Sequence, residues 1–249
     1  MMDRQLHLNN MACPCRHILR KGIVFKIDAH ILKPVDRLTG FPVKAGNDAT
    51  VAAMGECWKG GGQGCKNMVF ATLGTGVGGG IVVDGKVILG AHGAAGEIGH
   101  MVLNRNETAT CGCGKRGCAE QYCSATGIVR LAKKYLAATE TPSALRAFKN
   151  LTCKDVFDLA QAGDTEAVDV LETVFDLLGE AIASACCIID PDRVILGGGV
   201  SKAGETLLDF VRPAFVKYAF TPCSHAKFVL AELGNDAGIC GAARLILDN

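Results

Sequence analysis

The stretch from residue 67 to residue 83 reads NMVFATLGTGVGGGIVV and contains two apolar segments separated by glycines. We interpret Asn67–Leu73 as a strand of mixed apolar content, the glycine-dense stretch as a turn, and Ile81–Val83 as a second strand. A third strand is predicted around Lys86–Leu89, so that the three strands form a β-meander.

After the meander, helices and strands alternate in the rest of the chain. A meander followed by such alternation predicts a mixed α/β fold rather than a uniformly parallel sheet. The predicted helices span residues 48–58, 124–138, 153–162, 164–189, 201–218 and 236–247, and the later strands span 193–196 and 226–233. Pro191 ends the long helix, because the residue before a proline avoids the helical conformation. Ser201 and Asp236 are predicted to cap the last two helices.

The composition gives no support for nucleic-acid or membrane binding. The 249 residues include 26 Lys and Arg against 25 Asp and Glu, which leaves a formal net charge of +1. No apolar run approaches the roughly 20 residues of a membrane helix, and the polar start lacks a signal-peptide core, so we expect a cytoplasmic protein. Its 13 cysteines should then be mostly reduced, and clustered cysteines suggest a metal site before a disulfide.

Cys111, Cys113 and Cys118 lie within eight positions of the stretch CGCGKRGC, whose glycines allow the tight turns that bring three thiols together. With a ring nitrogen of His100 they form a Cys₃His set, which suits a closed, tetrahedral, structural Zn²⁺ site. The alternative is three unrelated reduced cysteines in a loop, but the spacing favours zinc. A C-x-C-x-H group at residues 13–17 lacks the glycines, and we interpret it as chance.

The glycine-rich stretch LGTGVGGG, residues 73–80, matches the pattern G-x-G-x-x-G, which alone is weak. A strand follows it where a dinucleotide-binding fingerprint needs a helix, and no Gly-Lys-Ser/Thr follows as in a Walker A loop. An ordinary hairpin is the alternative. Five glycines in seven residues exceed what a turn requires, so we favour phosphate binding by bare amides and the Thr75 hydroxyl. A second set, Gly197–Gly199, could let a nucleotide approach a helix N-terminus.

Several polar residues near these glycines could bind or activate a polyol. Such a substrate needs carboxylate, amide and imidazole groups on its hydroxyls, and phosphoryl transfer needs a carboxylate that accepts the attacking hydroxyl's proton. The candidates are Asn47, Asp48, Glu97, His100 and Glu120. Taken singly, each is more often a surface charge or a cap, and a helix N-cap is the commoner role for Asp48. Their grouping makes the functional interpretation competitive.

Six motifs, in order from about residue 38 to the end of the chain, resemble the ROK family (repressors, open reading frames and kinases), especially its bacterial-type glucokinases. They are Gly46–Ala49, Leu73–Gly80, Gly96–His100, Cys111–Glu120, Arg193–Val200 and Gly234–Gly241. The stretch C-x-C-G-x-x-G-C-x-E with G-E-x-G-H upstream is highly specific. The resemblance implies an actin-like (ribonuclease H-like) ATPase fold with two α/β lobes around a cleft, and a homodimer as a possible assembly.

The resemblance also implies an activity, the ATP-dependent phosphorylation of the 6-hydroxyl of glucose or a related hexose, with Asp48 as general base. The residues that would hold sugar hydroxyls are Asn47, Glu97, His100 and Glu120. The residues that would bind ATP, accompanied by Mg²⁺, are Gly74, Thr75 and Gly76 at the phosphates and Gly198 and Gly199 near the adenosine. The residues that would hold a structural Zn²⁺ are His100, Cys111, Cys113 and Cys118. Zinc would thus order the sugar site without joining the chemistry.

The chain departs from the family pattern at its start. Family members begin with a strand and a D-x-G-G/T phosphate loop in a small lobe, whereas the sequence D-x-G-G/T does not occur among the 46 residues before Asn47. We therefore expect residues 1–46 to be a remnant of a truncated N-terminal lobe. Residues 47–249 would be the kinase core, with the last helix, 236–247, packed on the small lobe. Thr50 also stands where the family usually has Asn.

Two alternatives to a kinase stay open. One is a sugar-sensing ROK protein of the repressor kind, although residues 1–46 are short for an N-terminal helix-turn-helix and Asp48 is retained. The other is a zinc-stabilised remnant that binds a hexose without phosphorylating it.

Overall fold

The computed structural model describes residues 23–25, 37, 38, 40 and 43–247. Within these ranges, strand β1 (Ile23–Phe25) pairs in parallel with β2 (Val43–Ala45) in a two-stranded sheet. The predicted remnant, residues 1–46, falls mostly outside the described residues, as does the C-x-C-x-H group at 13–17.

A five-stranded sheet forms the centre of the described structure. Its strands are β3 (Met68–Leu73), β4 (Val77–Val83), β5 (Lys86–Val87), β6 (Arg193–Gly197) and β7 (Lys227–Leu230). They lie in the order β5-β4-β3-β6-β7. The first three form an antiparallel meander, whereas β3, β6 and β7 run parallel to one another. The predicted meander and the predicted mixed sheet are both confirmed.

The helices that connect and cover this sheet agree with the predicted ranges, with two exceptions. They are α1 (Asp48–Lys59), α2 (Glu120–Cys123), α3 (Ala125–Ala138), α4 (Cys153–Gln161), α5 (Thr165–Ile189), α6 (Glu205–Tyr218) and α7 (Asp236–Leu247). Helix α2 was not predicted, and α6 begins at Glu205 rather than at residue 201. None of the helices in the described ranges is long and apolar enough to cross a membrane.

Side chains of β3 alternate between two apolar cores, as a strand inside a layered sheet requires. Met68 and Phe70 pack in a small core with Ala53 of α1. Val69 and Leu73 face the larger core, which also contains apolar residues of α3, α4, α5 and α6. Because both faces are covered, a ligand can reach this sheet only at the ends of its strands.

The turn within the glycine-rich stretch is shorter than predicted, because β4 already begins at Val77. A Cβ at Gly78 would lie 2.7 Å from the Cβ of Ala49, and one at Gly80 would overlap the Cβ of Ala53. These glycines let α1 lie directly on the strand. The predicted glycine-dense turn is therefore corrected to Gly74–Gly76, and the other three glycines belong to β4.

Neither of the two predicted caps, Ser201 and Asp236, is an N-cap, whereas Ser124, for which no cap was predicted, is one. Ser124 caps α3 by accepting a hydrogen bond from the Gly127 N–H at 3.0 Å. Ser201, in contrast, does not cap α6, because a 3₁₀ turn at Val200–Ala203 separates it from the helix. Its hydroxyl instead donates to the Gly198 carbonyl oxygen at 2.8 Å. Asp236 is the first residue of α7 rather than a residue that precedes the helix.

Candidate active site and metal centre

The two predicted glycine turns lie side by side, each after the carboxyl end of an inner strand of the sheet. Strands β3 and β6 are parallel, and Thr72 pairs with Gly197, so both strands end at the same place. Gly198 has a φ of +85°, and a Cβ on it would lie 2.7 Å from the carbonyl carbon of Leu73. In open α/β sheets, ligands bind in the crevice beyond the carboxyl ends of parallel strands. The Gly74–Gly76 and Gly198–Gly199 turns lie at the corresponding ends of β3 and β6.

Helix α3 holds the first of these turns by its backbone. The Ala125 N–H donates to the Gly74 carbonyl oxygen at 2.8 Å, and the Thr126 hydroxyl donates to the Thr75 carbonyl oxygen at 2.9 Å. A hydrogen bond of 2.9 Å from the Gly74 N–H to the Gly76 carbonyl oxygen closes the turn itself. Thr75 is exposed at its tip. The turn is thus pre-formed.

The start of α1 carries the predicted acid and amide. Asn47 is the N-cap: its Oδ1 accepts hydrogen bonds from the N–H groups of Ala49 and Thr50 at 2.9 and 3.3 Å. The capping role considered for Asp48 therefore belongs to Asn47, while Asp48 is an exposed residue of the first helical turn. The Nδ2 group of Asn47 donates to Glu97 Oε1 at 3.4 Å, which joins two of the predicted sugar ligands.

Glu120 links the first glycine turn to the cysteine cluster. Its Oε2 atom accepts a hydrogen bond from the Val77 N–H at 3.1 Å, and its Oε1 atom lies 3.6 Å from Cys111 Sγ. A Cβ on Gly76 would overlap the same carboxylate. Glu120 thus contacts both the turn and the cluster. In the described part of the chain, by contrast, no hydrogen bond joins Gly198 or Gly199 to any of these polar residues.

The four predicted metal ligands do converge. One donor atom from each of His100, Cys111, Cys113 and Cys118 lies within 4.8 Å of every other. Cys113 Sγ is 3.6 Å from Cys118 Sγ, and Cys111 Sγ is 3.9 Å from His100 Nδ1. Zinc–sulfur bonds of about 2.3 Å in a tetrahedron imply ligand separations of roughly 3.5–4 Å, so the spacing and donor set fit Zn²⁺.

The thiols of this cluster differ in their readiness to lose a proton. Burial raises the pKa of Cys118 to about 12 and also raises the pKa of Cys111. The pKa of Cys113 is lowered, chiefly by a hydrogen bond from the Lys115 backbone. Because a thiol must be deprotonated to bind a metal, metal binding at this cluster would release protons.

A polar network that the sequence did not reveal supports the metal loop, which we define as residues 111–118. Glu107 is only 6% exposed, and its carboxylate accepts hydrogen bonds from the Tyr122 hydroxyl at 2.6 Å and Arg130 Nη1 at 3.0 Å. Chiefly through the Tyr122 hydroxyl, the pKa of Glu107 falls to about 2. The Gln121 side chain bonds the loop backbone directly. Neither Glu107 nor Gln121 lies in a pattern that predicts such a role.

Glu56, near the other end of α1 from Asp48, is a second residue that the sequence did not single out. It is fully buried, and its carboxylate accepts hydrogen bonds from the N–H groups of Gly61, Glu232 and Leu233 at 3.0, 3.1 and 2.9 Å. A buried carboxylate must be satisfied in this way. Glu56 therefore fixes the end of α1 to the segment that leads into α7.

Comparison with known proteins shows which proteins this chain is similar to in sequence. The ROK family model matches residues 23–249. A glucokinase from Halalkalibacterium halodurans is 47% identical over 212 residues, which cover 84% of this chain and 64% of the relative. The chain thus spans slightly less than two thirds of the length of that relative.

Solved structures give the same picture for the fold. A ROK family glucokinase from Streptomyces griseus, in complex with glucose and AMPPNP, matches with a TM-score of 0.76 and 36% identity over 88% of this chain and 72% of that one. A ROK family transcriptional regulator, a homologue of the E. coli MLC protein, matches with a TM-score of 0.77 and 29% identity over 87% and 55%. The expected actin-like ATPase fold is confirmed.

Proposed function

The chain belongs to the ROK family, and from this membership we propose that it transfers the γ-phosphoryl group of ATP to the 6-hydroxyl of glucose or a related hexose. One observation carries the proposal: two glycine turns border the carboxyl ends of neighbouring parallel strands, and a carboxylate, Glu120, bonds the start of the strand that follows the first turn. That arrangement puts groups suited to hydroxyls beside groups suited to phosphates.

The hexose would bind among the polar side chains at the start of α1 and around the metal loop. Asn47, Glu97, His100 and Glu120 would hold its hydroxyls. Asp48 would accept the proton of the 6-hydroxyl as its oxygen attacks the γ-phosphorus in line. The assignment of Asp48 is supported by its exposure at the start of α1, where Asn47 and not Asp48 is the N-cap.

ATP would bind along the two glycine turns. The N–H groups of Gly74, Thr75 and Gly76 and the Thr75 hydroxyl would contact the phosphates, and Gly198 and Gly199 would lie near the adenosine. Packing does not explain every one of these glycines: a Cβ on Gly74 or Gly199 would meet no atom within 4 Å, and neither has a positive φ. Close approach of a ligand gives a reason for their bare backbone. Mg²⁺ would accompany the nucleotide and neutralise its phosphates.

A structural Zn²⁺ would bind at His100, Cys111, Cys113 and Cys118. His100 Nδ1 faces Cys111 Sγ, so this nitrogen would take the metal and Nε2 would be directed to the hexose. The ion would fix the ring of His100 and the metal loop, and would take no part in phosphoryl transfer.

A coupled assay of ATP-dependent glucose phosphorylation on the purified chain tests this proposal. Loss of a general base typically costs about 10²- to 10⁴-fold in rate, so Asp48→Asn should abolish measurable turnover while glucose binding, followed by calorimetry, is retained. Asp155→Asn is the matched control, because Asp155 is also an acid in the first turn of a helix, α4. Turnover in Asp48→Asn near that of the parent chain would rule out Asp48 as the base.

A second candidate function is hexose binding without catalysis. The match to a ROK transcriptional regulator favours considering it, since that protein shares the fold at a similar TM-score. Under this alternative, the zinc-loaded chain binds glucose in calorimetry but yields no glucose 6-phosphate with ATP and Mg²⁺. Turnover that depends on Asp48 would exclude it.

A further inference from the structure

We propose that Gln121 is a positioning residue for the hexose site: its carboxamide ties the metal loop to helix α2 and thereby sets the place of Glu120. The inference rests on the proposed function, in which Glu120 is a hexose ligand. Gln121 itself is assigned no contact with hexose, ATP or metal.

The Gln121 side chain connects three segments of backbone. Its Oε1 atom accepts hydrogen bonds from the Gly117 N–H at 2.8 Å and the Cys118 N–H at 3.2 Å. Its Nε2 group donates to the carbonyl oxygen of Ala109 at 3.0 Å. The carboxamide therefore holds α2, the metal loop and the segment before the loop together.

Helix α2 depends on such contacts because it has only four residues. Helices shorter than about 12–15 residues are not stable on their own, so tertiary contacts must set the orientation of α2. Arg130 holds its end by donating from Nε and Nη2 to the Gln121 carbonyl oxygen at 3.2 and 2.9 Å. Among the side chains of described residues outside the metal loop, that of Gln121 bonds the loop backbone, at Gly117 and Cys118.

The position of Glu120 follows from this arrangement. Glu120 begins α2, two residues after Cys118, and its carboxylate bonds the Val77 N–H. Without the carboxamide, the N–H groups of Gly117 and Cys118 lose their acceptor, and α2 is joined to the metal loop by fewer bonds, among them that of the Gln121 N–H to the Cys118 carbonyl oxygen. Metal retention and hexose affinity should therefore fall together.

ATP affinity should change much less. The Gly74–Gly76 turn is held by α3, through the Ala125 N–H and the Thr126 hydroxyl, and not by Gln121. Loss of the Gln121 side chain leaves those two bonds in place. A general loosening of the fold, by comparison, would affect hexose and ATP alike.

The test uses the full zinc-loaded chain and three variants. Gln121→Ala removes all three bonds, whereas Gln121→Glu keeps an acceptor oxygen for Gly117 and Cys118. Gln161→Ala is the matched control, because Gln161 is a glutamine of α4 that bonds the Thr206 hydroxyl away from the loop. Zinc release to 4-(2-pyridylazo)resorcinol is measured together with kcat and the KM values for glucose and ATP.

Supporting residues of metal sites typically contribute about 10- to 100-fold in affinity or activity. We expect Gln121→Ala to release zinc at least about 10-fold faster and to raise the KM for glucose about 10-fold. Its kcat and its KM for ATP should stay within about twofold of the parent values. A higher KM for glucose at unchanged kcat indicates that binding is lost equally in the ground state and the transition state. Gln121→Glu should restore slow zinc release, and Gln161→Ala should match the parent chain.

Three results would overturn the proposal. They are parent-like zinc release and glucose KM in Gln121→Ala, equal loss of glucose and ATP affinity, and a Gln121→Glu variant as impaired as the alanine variant. If Gln121→Ala does not fold, Gln121→Met takes its place, since it has a similar volume without the polar groups. If the parent chain shows no turnover, the proposed function fails, and zinc release with glucose affinity by calorimetry still decides the role of Gln121.

Discussion

Two regions hold the candidate site residues in place by different means. Asn47 and Asp48 begin α1, which is held by close backbone packing: it lies on bare glycines of β4, and it crosses α7 where Gly55 and Gly241 replace side chains. The segment at residues 96–123, in contrast, is held by hydrogen bonds of buried and half-buried polar side chains and by the convergence of three thiols and an imidazole.

Because the two regions are held in place differently, we expect different conditions to disturb them. Contact between packed backbones involves no protonation or metal binding, so it should be lost only when the fold is lost. The segment at residues 96–123 contains an ionised carboxylate, Glu107, and thiols that bind a metal only when deprotonated. We therefore expect acid and chelators to affect the loop before the sheet.

The largest effect should come from Gly241→Ala, which attacks the packed region. A Cβ at Gly241 would overlap the carbonyl oxygen of Val51, a backbone atom that cannot move without moving α1. We expect the two helices to separate and the free energy of unfolding to fall by about 3 kcal/mol, the upper range for overpacking. Urea unfolding of the parent chain and the variant measures this difference.

Gly238→Ala is the control for that substitution, because Gly238 lies in the same helix but a Cβ there would meet no atom within 4 Å. Removing a glycine from a helix interior should stabilise the chain by up to about 1 kcal/mol. A small effect of Gly241→Ala, equal to that of Gly238→Ala, would show that close packing does not hold α1.

A smaller and more local effect is expected from Cys113→Ser, which attacks the metal loop. The variant should lose zinc, measured by metal analysis, and its affinity for glucose should fall at least about tenfold. The urea transition should change little, because the sheet and its two cores do not include the loop. Cys187→Ser, at an exposed thiol near the end of α5, is the control. Unchanged zinc content in Cys113→Ser would refute the ligand assignment.

The contrast between the regions also explains what the sequence could predict. The apolar content of residues 67–73 before a glycine-dense turn identifies β3, and the spacing of Cys111, Cys113 and Cys118 identifies the metal cluster, because both patterns are local. The family resemblance supplied the expected roles of Asp48 and Thr75, which stay predictions.

The supporting residues could not be found in the same way, because their partners are distant in sequence. Glu56 bonds the Leu233 N–H across 177 positions, and nothing around either residue marks the pair. The glycines of β4 show the converse case. The sequence reveals that Gly78 and Gly80 lack side chains, but only the structure shows that α1, and not a phosphate, occupies the space.

The smallest effect should come from protonation of Glu107. Its pKa is lowered from the usual 4.5 to about 2, so the fold stabilises the ionised form. Its contribution is complete above pH 4.5 and is lost as the pH falls from there towards 2. Hydrogen bonds to a charged group contribute about 1.5–3 kcal/mol. We therefore expect the opening free energy that protects the amides of residues 104–110 from exchange to fall by about 1.5 kcal/mol in acid.

Hydrogen exchange near pH 3, corrected for the intrinsic rate at each pH, measures this loss. Oε1 of Glu107 accepts from the N–H groups of Thr108 and Ala109, each at 3.0 Å, so these amides report directly on its charge. Glu107→Gln has no charge to lose, and protection of its 104–110 segment should not depend on pH in this window. Strand β3 should stay protected in both chains. Equal pH dependence in the parent and Glu107→Gln, or loss of β3 protection together with the loop, would mean that one cooperative unit, and not two, holds the site.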